Sequence, residues 1–214
     1  MLSRVNTVAF NGLEILNVEL QVQISAGMPA FAIVGLPDKA VAESRERIRA
    51  AFTALGLKLP AKRITVNLSP ADLLKEGSHF DLPLALGLLV GMEVIPQEKV
   101  SPYIALGELG LDGKLVNVNG VLPAAMAAKR QGCGVICPEA QGSEAVWAKV
   151  CLLYTSDAAD DLLCAADQFF PRQRRNSLSA GQTPGKRRAS GRHEGRQRAG
   201  NRQAGNRNCR CRRA

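Results

Sequence analysis

The stretch ITVNLSPADLLKEGSHFDLPLALGLL, from Ile64 to Leu89, decides how the rest of the chain is interpreted. Residues 64–68 alternate between apolar and polar side chains, which is typical of a strand with one buried face. Residues 69–80 contain proline, glycine and several polar side chains, and they predict a loop. The apolar run that follows predicts a helix, with Asp81 as its cap and Pro83 in its first turn.

A second stretch, ALGELGLDGKLVNVNGVLPAA from Ala105 to Ala125, contains a hairpin signal. Asp112-Gly113 predicts a tight turn between strands over Ile104–Leu109 and Leu115–Val118. The hairpin leads directly into residues with helical periodicity, from Leu122 to Gln131. Both stretches therefore combine strand pairing with the start of a helix.

The remaining elements follow from apolar periodicity and turn signals. Asn11-Gly12 indicates a hairpin turn, and a helix is expected between a cap at Asp38 and Gly56. Strands and helices mix without a regular βαβ alternation, so the sequence predicts an α+β fold with a mixed sheet and packed helices over residues 1–150. The other predicted strands are Val5–Phe10, Leu13–Ile24, Ala30–Val34 and Val135–Cys137.

The two stretches resemble the Lon-protease-like domain. In that family a strand enters a Lys-Asp-Gly-Pro-Ser-Ala-Gly turn that opens a helix, and a later hairpin leads to a Pro-Ile-Gly-Gly-Leu-Lys helix start. Lys75, Glu76 and Gly77 match the beginning of the turn. The position of the nucleophilic serine is His79, and the position of the dyad lysine is Leu122. The resemblance therefore implies a Lon-like domain that lacks the proteolytic dyad.

The segment LSPADLLKEGSHFDLPLALGLL resembles the amino-terminal domain of the magnesium-chelatase-like ATPases of the ComM/YifB type. The resemblance extends over roughly residues 1–150. This resemblance implies an AAA+ ATPase module downstream, with ATP and Mg²⁺ as its cofactors and none in the present domain. It also implies a homo-oligomer, expected to be a hexamer, that acts on DNA in branch migration, natural transformation or recombination. The present domain would then serve assembly or DNA engagement.

The motif loop is interpreted as architectural. Gly77 is expected to adopt a backbone conformation that is costly for other residues, Asp81 to cap the following helix, and Pro83 to fix φ in its first turn. His79 is expected to pack at the helix start rather than act as a base or ligand. The loop comprises Lys75, Glu76, Gly77, Ser78, His79, Asp81 and Pro83.

An active peptidase is an alternative hypothesis. A serine–lysine dyad requires a neutral amine within hydrogen-bond reach of the hydroxyl, at about 3 Å. Ser78 lies one position before the expected nucleophile, and Lys75 lies three residues from it on the same loop. A rearranged local dyad of these two side chains would restore the chemistry.

Phosphate-binding motifs are missing from the sequence. A phosphate-binding loop needs G-x-x-x-x-G followed by Lys and then Ser or Thr. Gly113-Lys114 continues into Leu115, and Gly185-Lys186 continues into Arg187, so neither supplies the hydroxyl that binds magnesium. The arginines of the helix after Asp38, which are Arg45, Arg47 and Arg49, are interpreted as a solvated surface, with a nucleic-acid or subunit contact as the alternative.

Charge divides the chain into two unlike parts. Residues 1–150 carry 14 Lys and Arg against 14 Asp and Glu, whereas residues 151–214 carry 14 against 5 and supply the net charge of +9. Residues 171–214 contain 13 Arg and a single Leu, with no Ile or Val, so they lack the apolar surface that ordering requires. A disordered tail over residues 151–214 is therefore expected.

The tail also has features of an altered reading frame. Residues 196–214, written as generic codons and moved by one nucleotide, permit a peptide that resembles the opening of the family's AAA+ module. The segment CLLYTSDAADDLLC, from Cys151 to Cys164, resembles a translated sequencing adapter. The alternative is a genuine arginine-rich arm that binds nucleic-acid phosphates. We interpret the tail as an artefact that carries no function.

Localisation is expected to be cytoplasmic, without a membrane partner. Residues 1–10 lack a basic region followed by an apolar run, and no segment reaches about 18 uninterrupted apolar residues. Cys133 and Cys137 are expected to be buried, unreactive thiols. Cys209 and Cys211 have no second ligand pair at metal-binding spacing, so no metal site is predicted.

Overall fold

The computed structural model describes residues 2–12, 14–148 and 153–156. Within them the chain forms a mixed sheet with packed helices, which confirms the α+β fold class. The strands are β1 Leu2–Asn11, β2 Glu14–Ser25, β3 Ala30–Val34, β4 Arg63–Ser69, β5 Tyr103–Ala105, β6 Glu108–Leu109, β7 Leu115–Val116, β8 Gly134–Pro138 and β9 Leu153–Ser156. The α-helices are α1 Lys39–Ala54, α2 Asp81–Gly91, α3 Gln97–Val100, α4 Val121–Gln131 and α5 Gly142–Trp147.

The main sheet has the strand order β3-β4-β2-β1-β5-β8-β9, and β6 pairs with β7 in a separate two-stranded ladder. β1 and β2 form the expected hairpin around Gly12, with Phe10 opposite Ile15 and Asn11 opposite Glu14. β2 is antiparallel to β4, whereas β3 runs parallel to β4. β5, β8 and β9 extend the other side of the sheet in parallel.

Helices α1 and α2 cover one face of the sheet. Every residue of α2 from Asp81 to Val90 is buried, so this helix is enclosed on all sides. A Cβ added to Gly87 would lie 2.7 Å from Val22 Cγ2, which shows that the helix backbone approaches β2 too closely for a larger side chain. The main apolar cluster includes Val5, Leu20, Val22, Ile48, Phe52, Val66, Phe80 and Leu84.

Helices α4 and α5 cover the opposite face. Val8 and Val135 belong to this second apolar cluster, whereas Ala9 and Ile136 belong to the first. Neighbouring residues of a strand point to opposite faces, so the two clusters lie on the two sides of the sheet. α4 ends at Gly132, which has φ 70°, as the sequence predicts.

The predicted strand over Ile104–Leu109 is wrong in one respect, because it divides at Gly107. β5 joins the main sheet, and β6 pairs with β7 instead. The backbone N–H of Gly107 donates to His79 O at 3.0 Å, and Gly107 O accepts from Leu82 N at 3.0 Å. The motif loop therefore holds Gly107, and the strand cannot continue through it.

Strand β9 lies beyond Val150, the domain boundary expected from the sequence, and pairs in parallel with β8. It falls within Cys151 to Cys164, the segment that resembles a translated adapter. The predictions for residues 157–214, including those for the arginine-rich tail, lie outside the described residues. No helix in the described part of the chain is both long enough and apolar enough to cross a membrane.

Candidate functional site

The motif loop lies against the turn that connects β3 to α1. Lys75 N donates to Leu36 O at 3.1 Å, and Asp38 N donates to Lys75 O at 2.9 Å. These bonds form a short parallel bridge between Pro37 and Lys75. Because β3 and β4 run parallel, the segments that follow them leave the sheet at the same edge and can pair in this way.

Asp38 connects this loop to α1 through both oxygens of its carboxylate. Oδ1 accepts from Val41 N at 2.7 Å, which confirms Asp38 as the cap of α1. Oδ2 accepts from Gly77 N at 3.3 Å. A single side chain therefore stabilises the start of the helix and the conformation of the motif loop.

Gly77 adopts the conformation expected of it. Its φ is 101° and its ψ is 160°, a region of backbone space that only glycine occupies readily. A Cβ at this position would also lie 3.1 Å from His79 Nδ1. Glycine therefore allows the chain to turn from Glu76, which is exposed, into the short 3-10 turn Ser78–Phe80 that precedes α2.

The predicted role of Asp81 as a helix cap is wrong. Phe80 occupies the cap position of α2, and no side-chain hydrogen bond caps the helix. The Asp81 carboxylate is fully buried and forms two hydrogen bonds with Arg47, from Nε at 2.6 Å and from Nη2 at 3.0 Å. Leu109 N donates to Oδ2 at 3.2 Å. Asp81 is therefore the acceptor of an ion pair between α1 and α2 and also anchors β6.

Arg47 is the residue that sequence reasoning missed. Its side chain is only 21% exposed, so its interpretation as part of a solvated surface is wrong, whereas Arg45 and Arg49 are exposed as expected. Nη2 also donates to Ala40 O at 3.0 Å and to Ser44 Oγ at 3.2 Å. The hydrogen bond to the Asp81 carboxylate raises the Arg47 pKa above its ordinary value.

Lys75 and Ser78 bind different partners. The Lys75 side chain is buried, and its amine donates to the carbonyl oxygens of Leu73, at 2.6 Å, and Pro70. Burial lowers the Lys75 pKa below its ordinary value. Ser78 Oγ donates to the carboxylate of Glu108 on β6. The two side chains of the rearranged dyad are therefore not hydrogen-bonded to each other in this structure.

His79 packs at the start of α2, as predicted. The residue is 5% exposed, and its ring lies between the rings of Phe10, at a centroid distance of 5.3 Å, and Phe80, at 4.3 Å. Nε2 lies 2.9 Å from Val8 O, so the neutral ring carries its proton on Nε2 and donates to this carbonyl. Burial lowers the His79 pKa below its ordinary value.

Phe10 also contacts the beginning of α4. A Cβ added to Gly120, which has φ 90°, would overlap the Phe10 ring. Leu122, the residue at the position of the dyad lysine, is half-buried and packs against the second apolar cluster. The ring of Phe10 therefore lies beside both the turn that contains His79 and the start of α4.

The other residues singled out in the sequence lie in helices, strands or turns of the fold. Pro83 lies in the first turn of α2, as expected, where its missing N–H leaves no broken bond. Cys137 is buried as predicted, and burial raises its thiol pKa to about 12, whereas the prediction of a buried thiol is wrong for Cys133, which is partly exposed. Gly113-Lys114 forms the turn between β6 and β7. Among the described residues, no group of three or more His, Cys, Asp and Glu side chains is arranged to hold a metal ion.

Comparison with known protein families places this fold in a defined class. A family model described as subunit ChlI of Mg-chelatase matches residues 20–141, which is more than half of the chain. The chain therefore belongs to this magnesium-chelatase family. The matched span runs from β2 to the 3-10 turn before α5, so it contains the motif loop, α2 and the β6–β7 hairpin.

Curated relatives agree with this assignment. The chain is 43% identical over 128 residues to "Competence protein ComM" of Haemophilus influenzae. These aligned residues cover 60% of the chain and 25% of the relative. It is 47% identical over 131 residues to an uncharacterised protein of Mycobacterium bovis, covering 61% and 26%. It is 42% identical over 135 residues to the uncharacterised protein YifB of Escherichia coli, covering 63% and 27%. The chain thus corresponds to about a quarter of the length of these relatives.

Proposed function

We propose that this chain is the amino-terminal, non-proteolytic Lon-like domain of a ComM/YifB-type ATPase that processes DNA. The identity of 43% with a protein named for competence supports a role in the uptake or recombination of transforming DNA. The expected reaction of the whole protein is ATP-driven branch migration. Within it, the present domain serves assembly of the oligomer or engagement of DNA.

The observation that carries the non-proteolytic part of this proposal is the position of His79. A serine nucleophile must present its hydroxyl to a base and to the substrate. The residue at the matching position instead has a buried ring, with Nε2 bonded to Val8 O at 2.9 Å. Leu122, at the second position, has no group that can accept a proton. Serine–lysine chemistry therefore has neither of its two groups at these positions.

The cofactors and assembly belong to the rest of the full-length relatives. ATP and Mg²⁺ need a glycine-rich loop followed by a lysine and a hydroxyl residue at a helix start. Gly113-Lys114 lies in a hairpin turn and is followed by Leu115, which begins β7, so it does not fit this role. We propose that ATP and Mg²⁺ bind in the downstream module, and that the full-length protein forms a homohexamer on DNA.

Labelling with a serine-reactive fluorophosphonate tests the non-proteolytic assignment. We expect no labelling of Ser78 in the whole chain, and a Ser78→Ala variant should behave as the parent does in a casein-cleavage assay. Ser78 Oγ donates to the Glu108 carboxylate, whereas the Lys75 amine donates to the carbonyl oxygens of Pro70 and Leu73. Labelling of Ser78 that disappears in Lys75→Met would overturn the assignment.

The DNA-processing part is tested on full-length Escherichia coli YifB. We expect the purified protein to migrate the branch point of a synthetic four-way junction only when ATP and Mg²⁺ are present. Deletion of the segment that matches this chain should abolish the reaction or the oligomer that performs it. Normal branch migration by the deleted protein would show that the domain serves neither role, and absence of branch migration in the intact protein would contradict the proposed reaction.

A further inference from the structure

Helices α4 and α5 border an open cleft on the face of the sheet opposite α1 and α2. Its volume is about 350 Å³. Trp147, the single tryptophan of the chain, lies on one side of this cleft and is 80% exposed. The cleft is lined by Leu122, Met126, Lys129, Arg130, Trp147 and Ala148.

The cleft follows from the way the two helices pack. Ala124, Ala125 and Ala128 of α4 are buried in one cluster with Ala145 and Ala148. Small side chains allow two helices to approach closely, so the larger side chains of α4 and α5 are left at the rim. On α4 these larger residues recur at positions 122, 126, 129 and 130, the spacing that places side chains on one helix face.

The lining combines cations with an exposed aromatic face. Lys129 and Arg130 are both exposed, and Met126 is 52% exposed. No carboxylate lines the cleft among the described residues. Glu144, which lies one turn before Trp147 on α5, is engaged elsewhere, because its carboxylate accepts from Leu122 N at 3.2 Å and from Gln141 Nε2 at 3.3 Å. The described lining of the cleft therefore carries the positive charges of Lys129 and Arg130.

We propose that this cleft binds single-stranded nucleic acid, with a base stacked on the Trp147 indole and the adjoining phosphates paired with Lys129 and Arg130. Aromatic side chains beside a basic groove are the usual means of holding a single strand without sequence preference, because every base offers a flat face. The bases of a duplex are stacked on each other and offer no such face to Trp147. This proposal specifies which form of DNA the domain binds and on which surface, and it rests on the proposed DNA function.

The single tryptophan provides a readout that is local to the cleft. Oligothymidylate added to the whole chain should quench Trp147 fluorescence, whereas an abasic oligonucleotide of equal length, which has the phosphates without the bases, should not. Binding through the arginines of residues 171–214 would respond to both oligonucleotides and would leave Trp147 unquenched. Fluorescence anisotropy of a labelled oligonucleotide, measured in parallel, reports total binding.

The double variant Lys129→Gln/Arg130→Gln tests the phosphate contacts. We expect its quenching midpoint to shift to at least about fivefold higher oligonucleotide concentration, with a weaker dependence on salt. The matched control is Lys58→Gln/Arg49→Gln, which removes two exposed cations that do not line the cleft, and it should quench as the parent does.

Three results would overturn the proposal: no quenching by oligothymidylate, equal quenching by the abasic strand, or an unchanged midpoint in Lys129→Gln/Arg130→Gln. None of them bears on branch migration by full-length YifB. Absence of single-strand binding in the cleft and absence of branch migration by full-length YifB are therefore distinguishable results. Quenching of Trp147 together with inactive full-length YifB would retain the single-strand site and reject the DNA-processing reaction.

Discussion

Arg47 of α1 and Asp81 of α2 form a bidentate ion pair across 34 residues of sequence, with N–O distances of 2.6 and 3.0 Å. The Asp81 side chain is completely buried, and the Arg47 side chain is 21% exposed. Asp81 also accepts from Leu109 N on β6. This one carboxylate therefore joins both helices on one face of the sheet to the small hairpin beyond the motif loop.

Replacement of Asp81 by Ala should destabilise the chain strongly. Removing one partner of a buried pair leaves the other charge without compensation, at a cost of about 3 kcal/mol or more. The partial exposure of Arg47 favours the lower end of that range. Urea unfolding followed by circular dichroism measures the change in free energy. A loss near 1 kcal/mol would instead fit a simple helix cap, which the geometry of Asp81 excludes.

The exposed pair Lys39–Glu43 provides the matched control. Its side chains are 92% and 55% exposed, so Glu43→Gln should cost no more than about 0.5 kcal/mol. A double-mutant cycle with Arg47→Ala and Asp81→Ala should give a coupling energy well above that of the exposed pair. Equal coupling energies for the two pairs would show that burial does not strengthen the Arg47–Asp81 contact.

Gly77→Ala tests the conformation of the motif loop. With φ at 101° and ψ at 160°, an alanine would be strained by about 1–3 kcal/mol and would crowd His79 Nδ1. Gly12→Ala is the control, because Gly12 has φ 60° with open space around it, where the cost is about 1 kcal/mol. The urea midpoint of Gly77→Ala should therefore be lower than that of Gly12→Ala. A larger loss of stability in Gly12→Ala would contradict the role given to Gly77.

Local sequence signals identified the parts of the fold that depend on near neighbours. Asn11-Gly12, Asp38 and Gly132 each mark a turn, cap or helix end through bonds to residues only a few positions away. The apolar periodicity of α1 likewise corresponds to burial, because Val41, Ile48 and Phe52 are all buried. These features could be predicted because the chain segment that forms them also contains the reason for them.

Contacts between distant segments could not be predicted in this way. Arg47 and Asp81 occur in separate elements, and an arginine on an amphipathic helix has the same sequence pattern whether it faces water or a buried carboxylate. The strand divides at Gly107 because its N–H donates to His79 O of the motif loop and its C=O accepts from Leu82 N of α2. The carboxylate of Glu108 on β6 likewise accepts a hydrogen bond from Ser78 Oγ of the motif loop, a residue 30 positions earlier in the sequence. Each of these requires the packed arrangement of the motif loop, α2 and β6.

Lys75→Met should destabilise the motif loop, because the buried Lys75 amine donates to the carbonyl oxygens of Pro70 and Leu73. Loss of hydrogen bonds made by a charged donor should cost about 1.5–3 kcal/mol. Lys58→Met removes an exposed lysine and should change the free energy of unfolding by less than about 0.5 kcal/mol. Equal stability of the two variants in urea would show that the Lys75 amine has no structural role and would reopen a chemical one.

His79 should make the stability of the chain depend on pH. Burial lowers its pKa in the folded state below the value of about 6.5 expected in the unfolded chain, despite the opposing effects of Val8 O, Asp81 and Asp38. As pH falls below about 6.5, the unfolded chain takes up a proton that the folded chain resists, so stability is lost.

The measurement is a set of urea melts between pH 7.5 and 5.5 on the parent chain and on His79→Gln, whose amide can still donate to Val8 O but does not titrate. The parent should lose more free energy of unfolding than the variant over this range, by at most about 1.4 kcal/mol for the pH unit between 6.5 and 5.5. His193 is present in both proteins, so its titration cancels in the comparison. Parallel pH profiles would show that the folded state accepts a proton on His79 without penalty, and the packing of that ring between Phe10 and Phe80 would then have to open in acid.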